Sequence, residues 1–243
     1  DGLAILFRKE ETMIPIRDTI RSSRFPVVNW LIIIANVFVF CLEYFLPSNL
    51  SDQLVSTFAL TPASVSLAQP ATLLPFFTHM FLHGSWYHLI SNMWFLMIFG
   101  DNIEDRLGST RYLLFYLLGG LSAALLQFFF SPTLDVPTLG ASGAIAAVMG
   151  AYFVLYPASR VVTFVPIFFF GGFIRLPAIL YLGVWFVMQL FSGFSSFVIG
   201  AGAADGIAWW AHVGGFLFGM LFIRAFAGKF PTPYTDDRNT SRW

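Results

Sequence analysis

Apolar residues gather in six runs along this chain, and polar segments separate the runs. A helix that crosses a bilayer needs ~20 mostly apolar residues. The pattern therefore predicts six membrane-spanning helices, of which the second is the least apolar and the fourth is the shortest. The six runs cover residues 27–46, 85–100, 112–130, 142–156, 176–197 and 207–226.

The positive charges support the same count, because they occupy only alternate segments between the runs. All 13 Lys and Arg precede the first run, follow the second or the fourth, or lie at the end of the sixth and beyond it. Positive charge marks the cytoplasmic side of a membrane protein. We therefore predict an all-α, six-helix membrane bundle with both termini in the cytoplasm. Three intervening segments contain neither Lys nor Arg: 47–84, 131–141 and 198–206.

This topology divides the chain into a cytoplasmic segment, 1–26, a six-span membrane domain, 27–226, and a cytoplasmic tail, 227–243. We interpret residues 1–12 as a remnant of cloning or processing, with Met13 as the natural start. No pattern typical of a cleaved targeting peptide precedes the first span, which is expected to serve as the insertion signal.

Two apolar stretches outside the spans are expected to lie at the membrane interface. Segment 47–84 is long for a connection, so we predict that it is partly embedded. Segment 161–174 is broken by Pro166 and by Gly171-Gly172, and we interpret it as a short interfacial segment. A seventh crossing there would move the basic C-terminus to the other side.

Composition narrows the functional classes. The chain is 57% hydrophobic and 11% charged, whereas soluble domains carry roughly a quarter charged residues. A formal net charge of zero with no basic block gives no indication of a nucleic-acid partner, and membrane lipids are the expected surroundings. A single cysteine, Cys41, excludes an internal disulfide and a cysteine-rich metal site.

Five polar residues lie in or beside three spans, near the ends that meet the loops without Lys or Arg. Because polar side chains in hydrocarbon are costly, they mark functional sites. Ser142 opens the fourth span and His212 lies near the start of the sixth. The other three, at the start of the second span, are His83, His88 and Asn92.

Residues four apart share one face of a helix, and small residues follow both Ser142 and His212 at that spacing. Small side chains let membrane helices approach closely. We therefore expect the serine hydroxyl to reach the imidazole, which is the minimum equipment for acyl transfer by a nucleophile and its base. The small residues are Ala146 and Gly150 after the serine, and Gly215 and Gly219 after the histidine.

Acyl transfer also needs hydrogen-bond donors for the oxyanion. His88 and Asn92 are four apart on one face, and the backbone N–H of Ser142 adds a further donor. Gly140 and Gly143 permit the tight backbone that such an N–H requires.

Each of these residues has a plainer interpretation. A serine in a Gly/Ala-rich helix is usually a packing residue, a membrane histidine can serve a proton or an ion, and His88 and Asn92 could join helices. His79 by itself is interpreted as an interfacial residue. A zinc site is also conceivable, and it would comprise His79, His83, His88 and His212.

Four motifs in this order resemble the rhomboid family of intramembrane serine proteases. They are His83-x4-His88-x3-Asn92, Gly100-x3-Glu104-x-Arg106-x-Gly108, Gly140-Ala-Ser-Gly143 and Ala211-His212-x-x-Gly215 with Gly219 following. Together they cover about residues 83 to 219. The resemblance implies a compact bundle of six helices, with a short fourth span and a cavity open to the outside.

The same resemblance implies that Ser142 is the nucleophile and His212 the base, with His88 and Asn92 in the oxyanion hole. His83, Gly140, Gly143 and Gly215 are expected to support the site, and Glu104 and Arg106 to be structural. Two positions depart from the family pattern. Ala146 replaces a tyrosine that packs on the histidine ring, a role Trp209 or Trp210 could fill, and Leu74-Pro75 replaces a Trp-Arg pair.

The predicted function is hydrolysis of peptide bonds in membrane-spanning protein substrates, without a cofactor. No carboxylate is placed as a third member, since Asp205 precedes His212 by seven residues in a loop. Two other classes stay open: a non-catalytic rhomboid-like protein that binds membrane helices, and a transporter that uses His212 as a proton relay. The minimal six-span form suggests a prokaryotic inner membrane.

Overall fold

The computed structural model describes residues 13–167, 170–199 and 207–228. The described chain is mostly helical, with three strands and three short 3-10 turns. Asp205 falls outside the described residues. The helices are α1 Val27–Phe45, α2 Ser48–Phe58, α3 Pro75–Thr78, α4 Trp86–Leu107, α5 Ser109–Phe130, α6 Ser142–Leu155, α7 Ala178–Ile199 and α8 Trp209–Ala227. The strands are β1 Ile14–Asp18, β2 Arg160–Ile167 and β3 Phe170–Pro177.

A helix occupies each of the six apolar runs, and four helices in the described part of the chain are long and apolar enough to cross a membrane. The first four turns of α4 contain no Asp, Glu, Lys or Arg, but its last two carry several charges, including Asp101 and Glu104. Helix α6 has 14 residues, which at 1.5 Å per residue gives ~21 Å, less than the ~30 Å hydrocarbon core. The four that qualify are Val27–Phe45, Ser109–Phe130, Ala178–Ser196 and Trp209–Ala227. Six crossings therefore stay a prediction.

Helix α6 lies at the centre of the fold. Its residues 143–152 are all buried, and it packs against α4, α5, α7 and α8. Such complete burial explains why its sequence is apolar on every face. The short helix thus begins inside the protein, and its first residue, Ser142, lies within the bundle.

The all-α prediction is wrong in one region, because the described chain also contains a three-stranded antiparallel sheet in the order β1-β2-β3. The segment 161–174, interpreted as a single interfacial stretch, forms most of the β2–β3 hairpin. Its β-branched residues favour a strand, and Thr163 pairs with Ile174 on one side and with Pro15 of β1 on the other. The chain before the first span is thereby tied to the chain after α6.

Segment 47–84 forms the helices α2 and α3 and the three 3-10 turns, Pro62–Ser64, Pro70–Leu73 and His79–Phe81. It is fastened to the loop that precedes α6. Leu60 and Thr138 exchange two backbone hydrogen bonds, with N–O distances of 2.9 Å and 2.7 Å. The carbonyl of His79 accepts the N–H of Gly140 at 2.9 Å. This segment therefore helps to hold the loop that leads to Ser142.

Candidate active site

Ser142 and His212 meet where α6 and α8 begin. Ser142 is the first residue of α6, and its Oγ donates a hydrogen bond to Nε2 of His212 over 2.8 Å. His212 lies in the first turn of α8. Both residues are half-buried. The contact expected from the sequence is present, whereas the chemical roles of the two residues remain a prediction.

Glycines bring the two helices into backbone contact beside this pair. A Cβ on Gly215 would collide with the carbonyl oxygen of Gly143 and would lie 3.2 Å from Cβ of Ala146. A Cβ on Gly219 would meet the carbonyl oxygen of Ala147, and one on Gly150 would meet that of Phe216. The predicted faces of small residues do face each other. Their close approach sets the distance between the serine and the histidine.

The other ring nitrogen of His212 has a partner that the sequence analysis missed. Nδ1 donates a hydrogen bond of 2.8 Å to Oε1 of Gln189, which is buried on α7. A glutamine within an otherwise apolar membrane helix is costly unless it is paired. That cost could have marked Gln189 as functional from the sequence. The position of one such residue in the sequence, however, does not show which helix it faces.

Aromatic rings hold the imidazole on the α7 side. Trp185, one turn before Gln189, lies with its ring centroid 5.7 Å from that of His212. Trp209, one of the two expected candidates, meets the imidazole edge-on at 6.3 Å. The other candidate, Trp210, stacks on Phe130 instead, at 4.0 Å. Trp185 therefore packs on the imidazole ring, which is the contact that the resemblance assigned to a tyrosine at the position of Ala146.

His88 and Asn92 lie against the loop that leads to Ser142. Gly140 has a φ of +123°, a conformation that L side chains rarely adopt. A Cβ there would be 2.7 Å from the His88 ring and 3.6 Å from Nδ2 of Asn92. Glycine is required at this position for both reasons. Because Ser142 and Gly143 open α6, their backbone N–H groups have no acceptor within the helix.

A hydrogen bond to His83 fixes the side chain of Asn92. Nδ2 of Asn92 donates to Nε2 of His83 over 3.0 Å, and the backbone N–H of His83 donates to the carboxylate of Glu43 over 3.1 Å. Burial lowers the pKa of His83 to about 3, so the ring is neutral and accepts this bond. Asn92 keeps its second N–H. Glu43 is a supporting residue that the sequence analysis did not identify.

His79 is buried within the protein, and its position at the membrane interface stays a prediction. Its Nδ1 donates to the carbonyl of Pro75 over 2.9 Å, and burial lowers its pKa to about 4. The four histidines do not form the conceivable zinc site either. Within the described residues, no group of three or more His, Cys, Asp or Glu side chains could hold a metal ion.

Glu104 lies at the opposite end of α4 and holds the start of α1. Its carboxylate accepts the N–H of Val28 at 3.0 Å, the N–H of Asn29 at 2.7 Å and the hydroxyl of Ser109 at 2.6 Å. These contacts fit the expected structural role. Arg106 is half-buried, and its Nε makes no hydrogen bond within the described part of the chain.

The fold and the site together define a helical membrane protein with a serine–histidine pair inside its bundle. The rhomboid domain model matches residues 70–229, and the chain belongs to the rhomboid family. This match covers all four motifs, including both members of the pair.

Several curated eukaryotic proteins are similar to this chain. Presenilin-associated rhomboid-like protein, mitochondrial, is 32% identical in Bos taurus over 195 residues and 33% identical in Mus musculus over 199 residues, each match covering 79% of this chain and 46% of the relative. Rhomboid-like protein 11, chloroplastic, of Arabidopsis thaliana is 29% identical over 167 residues, 66% of this chain and 55% of the relative. The chain spans about half the length of these relatives.

These relatives correct the expected location. A prokaryotic inner membrane was inferred from the minimal six-span form, but the matching proteins are named as mitochondrial or chloroplastic proteins of eukaryotes. The expectation is therefore wrong. The inference failed because the number of spans reflects the fold and carries no information about the compartment.

Proposed function

We propose that this chain is an intramembrane serine endopeptidase that cleaves membrane-spanning segments of other proteins. The observation that carries the proposal is the hydrogen bond of 2.8 Å between Oγ of Ser142 and Nε2 of His212. A serine hydroxyl is a weak nucleophile until an adjacent base accepts its proton. This half-buried pair, between helices that glycines allow to approach closely, has that geometry before any substrate binds.

The reaction begins when Nε2 of His212 takes the hydroxyl proton and Oγ of Ser142 attacks the scissile carbonyl carbon. The tetrahedral intermediate collapses with cleavage of the C–N bond, and the imidazolium gives its proton to the leaving amine. Water then attacks the acyl-enzyme, His212 accepts a proton from that water, and Ser142 regains its hydrogen as the acid product leaves.

The oxyanion of each tetrahedral intermediate, in acylation and in deacylation, accepts hydrogen bonds from two directions. The backbone N–H of Ser142 points from the start of α6. His88 and Asn92, which flank Gly140, supply side-chain N–H groups, and His83 fixes the amide of Asn92. Donors held in place before the reaction stabilise developing charge without reorganisation, which makes them effective in a dry site.

The proposed topology has six crossings with both termini on the face that carries the arginines, and lipids around the bundle. Helix α4 crosses with its apolar first four turns, and the short α6 crosses inside the ring of longer helices. The catalytic pair then lies below the surface on the arginine-poor side. Substrates are membrane helices that unwind near that side, because a protease must bind an extended peptide.

Substitution of the pair tests the proposal. Ser142→Ala and His212→Ala should each abolish cleavage of a single-span model substrate, with expression and thermal stability close to those of the wild type. The measurement is product formation in proteoliposomes. Wild-type cleavage by Ser142→Ala would refute the protease assignment.

A non-catalytic rhomboid-like protein that binds membrane helices is the second candidate. The names of the relatives favour it, since "presenilin-associated" and "rhomboid-like" state an association and a likeness without an activity. Labelling by a fluorophosphonate separates the two. A protease reacts at Ser142 and loses the label in Ser142→Ala and His212→Ala, whereas a binding protein gives no label in any of the three.

A further inference from the structure

We propose that Gln189 is the positioning residue for the imidazole of His212, so that the site operates as a Ser142–His212–Gln189 triad. The proposal rests on the proposed function for its catalytic consequence. Its structural content, the position of one proton on one ring, is independent of activity.

The amide of Gln189 is fixed in one orientation by a second hydrogen bond. Its Nε2 donates to the carbonyl of Trp185, one turn earlier on α7, over 3.3 Å. Rotation of the amide by half a turn would place Oε1 against that carbonyl, oxygen against oxygen. The orientation with Nε2 on Trp185 therefore turns Oε1, a pure acceptor, toward His212.

This acceptor determines the tautomer of His212. A neutral imidazole carries its proton on one nitrogen only, and the bond made by one nitrogen decides the state of the other. Since Oε1 of Gln189 lies 2.8 Å from Nδ1, the proton is on Nδ1. Nε2 is left with its lone pair 2.8 Å from Oγ of Ser142, as a general base requires.

A neutral acceptor suits this position better than a carboxylate. Gln189 is buried on α7, within a segment apolar enough to cross a membrane. An ionised residue at the centre of a membrane helix is costly unless it is paired. The amide supplies the orientation without that charge. It stabilises the imidazolium less than a carboxylate would, so it orients the base and leaves it readily deprotonated.

Three variants test the proposal. Gln189→Leu keeps the approximate size and removes the acceptor, while Gln189→Glu keeps an acceptor at the same distance. Gln127→Leu is the matched control, because Oε1 of the buried Gln127 also joins two helices, accepting the N–H of Ala211 on α8 over 3.2 Å. Loss of Gln127 weakens packing at the residue next to His212 without touching the ring.

The first measurement is the rate of fluorophosphonate labelling against pH, together with kcat and KM for the model substrate. Gln189→Leu should lose about ten- to a hundredfold in labelling rate and kcat with KM within about twofold, because an unfixed tautomer disables the base; loss of the orienting group in the Ser-His-Asp template costs about 10⁴-fold. Gln189→Glu should recover most of that loss. Its acidic limb should move to higher pH, because a carboxylate favours the protonated ring.

The second measurement is the ¹⁵N spectrum of histidine-labelled protein. The signals of His212 are identified among those of the four histidines by their loss in His212→Ala. The proton should be on Nδ1 of His212 in the wild type and in Gln127→Leu, and distributed over both nitrogens in Gln189→Leu. This readout does not need an active enzyme. A wild type without labelling but with an Nδ1 proton would refute the protease and retain the positioning role.

The inference is overturned if folded Gln189→Leu labels at the wild-type rate with an unchanged pH profile, or if the spectrum places the proton of wild-type His212 on Nε2. Equal losses in Gln189→Leu, Gln189→Glu and Gln127→Leu would also overturn it, since they would reduce Gln189 to a packing residue.

Discussion

The two ends of helix α4 hold two buried polar clusters that differ in how completely they are paired. At one end, both oxygens of Glu104 are occupied by three donors. At the other end, Asn92 donates one of its two amide N–H groups to His83 and keeps the second. His88 is half-buried beside Gly140. We call the first end saturated because the Glu104 carboxylate is fully occupied, although Nε of Arg106 makes no hydrogen bond there within the described residues. A saturated carboxylate stabilises the fold, whereas a spare donor retains capacity for a ligand. The comparison separates structural from functional polarity within one helix.

The sharpest test removes a spare donor. Asn92→Ala should lower kcat by roughly ten- to a thousandfold if the amide donates to the oxyanion, with little change in KM. His88→Ala should lower kcat similarly and can also reduce stability, because its ring packs against Gly140 and His83. The measurement is steady-state cleavage of the model substrate. An Asn92→Ala enzyme with weaker binding and normal turnover would contradict the assignment.

Glycine substitutions next test whether the distance between α6 and α8 sets the geometry of the Ser142–His212 pair. Gly215→Val should separate α6 from α8, and a displacement of about 1 Å at a catalytic pair can cost on the order of a hundredfold in rate. Gly214 faces α5, where a Cβ would lie 2.7 Å from Cβ of Leu126 and 2.9 Å from the carbonyl of Ser122. Gly214→Val should therefore reduce thermal stability more than it reduces the rate per folded molecule. Equal, wild-type-like rates in both would show that the α6–α8 contact does not position the pair.

At the saturated end, the expected effect is on stability. Glu104→Ala leaves two N–H groups at the start of α1 and the hydroxyl of Ser109 without their acceptor, which should cost about 2–4 kcal/mol. Asp105→Ala is the matched control, because that carboxylate binds exposed Ser23 and an exposed contact of this kind is worth under ~1 kcal/mol. Thermal unfolding in detergent measures both. Similar losses would mean that burial of the network is irrelevant.

Sequence periodicity was sufficient to predict the central part of the site. The spacing of Ser142, Ala146 and Gly150 on one helix, and of His212, Gly215 and Gly219 on the other, indicated two smooth faces, and the structure brings them into contact. Helices also occupy all six apolar runs. Such predictions succeed where one rule, the spacing of four, determines both the secondary structure and the contact.

Contacts without a periodic signal were missed. Gln189 is a single polar residue in an apolar run, so nothing in its spacing indicates a contact with His212. The strand β1 has five residues, one of which is Pro15. It is stabilised by pairing with β2, which lies more than 140 residues later in the chain. Glu43 was visible near the end of the first span, but its bond to the backbone of His83 depends on the fold of segment 47–84.

The smallest expected effect is a pH dependence near the saturated end of α4. Asp18 on β1 accepts hydrogen bonds from Asn102 of α4 and Tyr152 of α6. Burial raises the pKa of Asp18 to about 7, and repulsion from Asp101 adds to this, although the Tyr152 bond opposes it. The folded protein thus keeps a proton that the unfolded chain, with its ordinary carboxyl pKa near 4, has already released.

Stability should therefore fall as the pH rises from about 4 to about 7, and this contribution is present only below that window. One pKa unit corresponds to ~1.4 kcal/mol, and relaxation around the ionised group reduces the total, so we expect about 1–2 kcal/mol. Asp18→Asn keeps an acceptor for Tyr152 and cannot ionise, so it should be more stable than the wild type at pH 8 and equal to it at pH 4. Thermal unfolding across this range is the measurement. A constant difference between the two proteins at every pH would place the titrating group elsewhere and leave Asp18 as an ordinary ionised partner of Tyr152.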